Sequence, residues 1–105
     1  MNKEKPAHYQ KVKNEFPEYI TMVEKLGETA GNAGPLDKKT AHLIQLAAAV
    51  TNKNEGAVHS HTRQLVELGA SGNEIHHAII LLTSTIGFPT VMAGISWAND
   101  ILNAE

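Results

Sequence analysis

The sequence of 105 residues contains no cysteine. This excludes a disulfide, a thiolate metal ligand and a thiol nucleophile from any chemistry the chain performs alone. It also has no excess of positive charge: nine lysines and arginines stand against eleven acidic residues, a net charge of −2. Without a basic field to gather phosphates, neither nucleic acid nor an anionic membrane surface is an expected partner. No apolar run reaches the length needed to span a bilayer, and the charged N-terminal stretch lacks the apolar centre of a secretory signal. A cytoplasmic protein is expected. Strand signals are missing too, since no segment alternates apolar and polar residues with a period of two.

What remains is helix. Hydrophobic residues make up 42% and charged residues 19%, too apolar for a disordered chain and enough for one domain over 1–105. From Pro6 to Lys25, Phe16, Tyr19, Ile20 and Val23 recur at spacings of three and four, which predicts one amphipathic helix ended by Gly27 or Gly31. After the breakers Gly31 to Pro35, Asp37 is placed to cap a second helix through Leu43, Ile44, Leu46 and Val50. A third should start near Asn54 and end at Leu68, with Gly69 in the left-handed position and Leu65, Val66 and Leu68 facing inward. Ser71 and Glu74 have capping-box spacing before a fourth helix whose core, Ala78 to Leu82, has no polar side and predicts burial all round. Gly87-Phe88-Pro89 breaks the chain ahead of a fifth helix through Trp97 to Leu102. The expectation is an all-α, compact bundle of about five helices. Two helices apolar nearly all round need more cover than three others supply, so self-association is expected as well.

The polar opening of the third helix concentrates the candidate chemistry. At about 100° per residue, Asn54, Ala57 and His61 share a stripe, whereas His59 points away from His61. The His-x-His pair is thus no chelate, and the adjacent His76 and His77 also diverge. No metal or cofactor is assigned, though a site assembled from separate helices, His59 or His61 with His77, stays open. His61 is the candidate general acid or base, because imidazole titrates near neutrality, and a satisfied core histidine is the structural alternative. His77, near a helix start where the dipole disfavours imidazolium, and His42, on a helix able to face the third, are its candidate helpers. Arg63, His59 and Asn54 are candidates for binding a small organic acid, Arg63 through its charge. Glu55 is read as capping or solvating the helix start, and His8 and His76 as surface residues. The hydroxyls of Thr83, Ser84 and Thr85 are expected to bond back to the backbone.

Asp37-Lys-Lys-Thr-x-His42-Leu-Ile, Glu55-Gly, His61, Gly69-Ala-Ser, Glu74-Ile and Gly87-Phe-Pro89, in this order, resemble the carboxymuconolactone decarboxylase-like family over about residues 36–102. The resemblance implies an orthogonal helical bundle of the alkylhydroperoxidase-D-like type. It also implies homo-oligomers, commonly trimers or hexamers, with pockets near subunit contacts. Its peroxidase branch uses Cys-x-x-Cys, a histidine four residues later and a glutamate on the preceding helix, which match Asn54, Ala57, His61 and His42 here. Without thiols that cycle cannot run. The decarboxylase branch is cofactor-free and also places a histidine at His61, with a carboxylate four residues earlier where this chain has Ala57. The implied function is acid/base chemistry on a small organic acid, of decarboxylase, lactone or isomerase type. A histidine-bound metal and a non-catalytic oligomer are the alternatives.

Overall fold

The computed structural model describes residues 6–104, which are all-helical and divide into two compact units, one up to Leu36 and one from Asp37 onward. Seven helical segments are present among the described residues, two more than the periodicity predicts. Both additions have local causes.

In the first unit, the single helix expected from Pro6 is broken into α1 (Ala7–Glu15) and α2 (Pro17–Gly31). Pro17 drives Phe16 out of the helical region, to φ −132° and ψ 65°, because its ring crowds the preceding backbone. Pro17 itself starts α2, where a missing N–H costs nothing. Glu24 joins the pair: Tyr9 donates its hydroxyl to the carboxylate, and Lys13 Nζ stands 3.3 Å away. The hydrogen bond to Glu24 is the main reason that the Tyr9 pKa is pushed up to about 12. Ile20 is buried, whereas Met22 and Leu26 are exposed.

The second unit holds α3 (Lys38–Thr51), α4 (Glu55–Glu67), α5 (Gly72–Ile80), α6 (Thr83–Ile86) and α7 (Phe88–Leu102). Its helix starts are set by side chains. Asp37 accepts from the Thr40 N–H at 2.7 Å, Asn54 from the Ala57 N–H at 3.0 Å, and Ser71 with Glu74 completes a capping box. α3 and α4 end alike. At each, the residue after the cap is left-handed, Lys53 (φ 53°) and Gly69 (φ 87°). The following N–H then reaches back to Ala49 and Leu65 respectively, closing a Schellman turn. These turns aim α4 and α5 back across the unit.

Leu46, Val50, Val58, Leu65, Ile75 and Ile79 form the centre of the core, all fully buried. Gly94 of α7 packs against them so tightly that a Cβ there would lie 2.7 Å from Val50 Cγ1. The expected burial all round of Ala78 to Leu82 is corrected: only Ile79 is fully buried, while Ile80 and Leu81 are exposed. The helix ends at Ile80, Thr83 Oγ1 donates back to the Ile80 carbonyl at 2.7 Å, and the short α6 begins at Thr83. Leu68 is likewise exposed, because it is the C-cap of α4, beyond the last helical turn. No helix among the described residues is long and apolar enough to cross a membrane.

Candidate functional site

Helix α4 packs between α3 and α7 and presents a different set of side chains to each. Asn54 both caps α4 and borders an open groove of about 470 Å³, together with Ala57 and His61 one and two turns on. The stripe expected at helical spacing is thus one wall. Gln45, Ala48, Ala49 and Asn52 of α3 and its end form the other. Small side chains at 48, 49 and 57 keep the groove open, and three amides with one imidazole supply its polarity.

Behind the groove wall, His61 meets His42 of α3, with the two Nδ1 atoms 3.1 Å apart and the rings tilted by 47°. At that distance one Nδ1 must carry hydrogen and the other a lone pair, so two imidazolium ions are excluded. Burial, and secondarily the charge of Lys38, lowers the His42 pKa. His42 is therefore the neutral partner at physiological pH. Such a ring can accept a hydrogen bond from His61 Nδ1–H, which would fix the His61 tautomer with its lone pair on Nε2.

Two residues away, His59 faces α7. Its Nε2 lies 2.9 Å from Asp100 Oδ2 and 3.9 Å from Glu55 Oε2 one turn earlier on α4. Next to it, His76 Nε2 and Asn99 Oδ1 are 2.7 Å apart, linking α5 to α7. Asn99 and Asp100 also border a second cleft, of about 470 Å³, with Met92, Ile95, Ser96 and Asn103.

Of the residues singled out in the sequence, the structure brings His42, His61 and Asn54 together. It sets the others apart. Arg63 is half-buried one turn after His59, so helix rotation carries it to the His59 side, and it does not border the groove. His77 is exposed on α5 and belongs to neither histidine cluster. His76, read as a surface residue, is half-buried and bonded, while Glu55 stands beside His59 besides opening the helix. Gln45, Asn52, Asn99 and Asp100 were not singled out. Asp100 carries a signal that could have found it, being the sole charged residue in α7.

The chain matches the carboxymuconolactone decarboxylase family over residues 17–100. It is 32% identical over 78 residues to the uncharacterized protein MJ1511 of Methanocaldococcus jannaschii, covering 74% of this chain and 73% of that one. It is also similar to the crystal structure of apo-lpg0406, a carboxymuconolactone decarboxylase family protein from Legionella pneumophila. That likeness has 29% identity and a TM-score of 0.79, covering 91% of this chain and 86% of the other. With the match taking in α3 to α7 down to Asp100, and both histidine clusters within it, this cysteine-free chain belongs to the carboxymuconolactone decarboxylase family.

Proposed function

We propose that the protein is a cofactor-independent acid/base enzyme acting on a small organic acid or its lactone in the groove between α3 and α4. The observation that carries this reading is the 3.1 Å approach of His42 Nδ1 to His61 Nδ1 beside that groove. His61 Nε2 takes a proton from a carbon next to the carbonyl of the bound molecule. The imidazolium that forms keeps its Nδ1–H bonded to neutral His42, and a proton from its Nε2, open to exchange with water, is then returned to a different atom of the substrate. This is the balance required for an isomerisation; a decarboxylation would instead have His61 take a proton from water and give it to the carbon that carbon dioxide leaves. The groove amides, from Gln45, Asn52 and Asn54, can hydrogen-bond the acid's oxygens without adding charge. The cysteine-dependent peroxidase reaction is excluded for the chain alone, since it has no thiol to oxidise.

Exchange of substrate C–H for deuterium, followed by NMR over a panel of small lactones, 2-oxo acids and unsaturated acids, tests the reading. At least one member should exchange with the wild type, and His61→Ala should slow it by about a hundredfold or more. Exchange undisturbed in His61→Ala, or a panel that neither exchanges nor shifts the histidine resonances, would sink it.

Assembly belongs to the same proposal. Ile44, Ile80, Leu81 and Phe88 of the second unit are each more than half exposed, and further copies of the chain would cover them. The resemblance points to trimers or hexamers. Sedimentation equilibrium showing only monomer at micromolar concentration would refute this part.

A further inference from the structure

The geometry points to a binding site for a divalent transition-metal ion of the zinc class on the α7 side of α4, made by Glu55, His59 and Asp100. Among the described residues these three offer donor atoms that all lie within 4.8 Å of one another. Glu55 and His59 are separated by one helical turn, the spacing that lets two side chains of a helix grip one ion. Asp100 comes from α7, so the set spans two helices that pack together.

Donors to zinc stand at about 2.0–2.2 Å from the ion in a tetrahedron, which puts neighbouring donors roughly 3.3–3.6 Å from each other. The observed separations from His59 Nε2, 2.9 Å to Asp100 and 3.9 Å to Glu55, bracket that range. Rotation of the exposed Glu55 closes the wider one. The ion replaces the hydrogen bond between His59 and Asp100: the ring proton moves to Nδ1, Nε2 gives its lone pair to the metal, and no proton is lost. Two carboxylates and one neutral imidazole balance a charge of +2. The imidazole nitrogen favours zinc, cobalt or nickel over calcium and magnesium, which prefer oxygen alone. Three protein donors leave a fourth position for water, and the cleft bordered by Asp100, Ser96 and Asn99 gives solvent a path to it.

Tag-free protein stripped with a chelator is titrated with Co²⁺, read by its visible d–d bands, and with Zn²⁺, read by calorimetry. One ion should bind per chain. Even residues that merely orient a ligand change affinity by about tenfold or more, so Glu55→Gln and Asp100→Asn should each weaken binding at least that much. His59→Gln should abolish it, while His61→Gln and His77→Gln bind as the wild type does. Because Glu55 is exposed and 3.9 Å from His59, Glu55→Gln should melt like the wild type without metal, separating lost ligation from lost folding. Failure of the wild type to bind a stoichiometric ion, binding that survives His59→Gln, or binding lost in His61→Gln would each overturn the site.

Discussion

His59 and His61 lie two residues apart on one helix and are put to opposite uses. His61 faces another imidazole, a partner that can hold or release a proton and whose charge is suppressed by burial. His59 faces two carboxylates, fixed acceptors that bring negative charge to its side. The difference comes from the pitch of α4. A step of two residues turns a side chain by about 200°, so neighbours in sequence become residents of different environments. What each ring does is written in α3 and α7 as much as in α4.

The comparison is broken most directly at His61. Replacement by alanine should lower kcat by about 10² or more, whereas His59→Gln, on the other face, should leave kcat within severalfold; steady-state kinetics on an exchanging substrate decides it. Equal losses in the two variants would mean that the faces are not separate. Both faces depend on how closely α7 approaches α3, which Gly94 sets. A methyl group there would overlap Val50 and come within 3.3 Å of Ile79, so Gly94→Ala should cost about 1–3 kcal/mol in urea unfolding. It should disturb both histidine clusters together.

Between the two faces, Thr62 is fully buried with its hydroxyl lacking a hydrogen-bond partner. Thr62→Val keeps the shape and removes the unsatisfied group, and should raise unfolding free energy by about 1 kcal/mol while sparing both faces. The smallest effect concerns pH. The His42 pKa lies below its ordinary value, so the unfolded chain takes a proton there more readily than the folded one. That contribution to stability is whole above about pH 6.5 and is lost as pH falls from there through the depressed folded value. Lys38→Gln removes one cause of the depression, and thermal melts over this range should show a gentler acid loss.

Features set by nearby residues were legible in the sequence. Asp37, Asn54 and the Ser71–Glu74 box cap helices where expected, because a cap needs only its own backbone within three residues. Gly69 is left-handed for the same local reason. Pro17 was a local signal too, but the apolar spacing across it suggested an unbroken helix. The partners of the histidines were not legible. His42 and His61 are 19 residues apart, and His59 and Asp100 are 41 apart, distances closed only by the packing of three helices. Helical spacing established that His59 and His61 diverge, yet it could not say toward what. Arg63 was chosen for its charge, and rotation alone would have assigned it to the side of His59.

In capping α4, Asn54 also settles the direction of its own amide. One lone pair of its carbonyl oxygen is engaged by the Ala57 N–H, so the NH₂ edge is the one wholly left to meet a visitor in the groove. That corner therefore offers both N–H hydrogens, together with the one oxygen lone pair that the cap does not use. Guests that present an oxygen there meet two donors, whereas those that present a hydroxyl proton meet a single acceptor already shared with the helix.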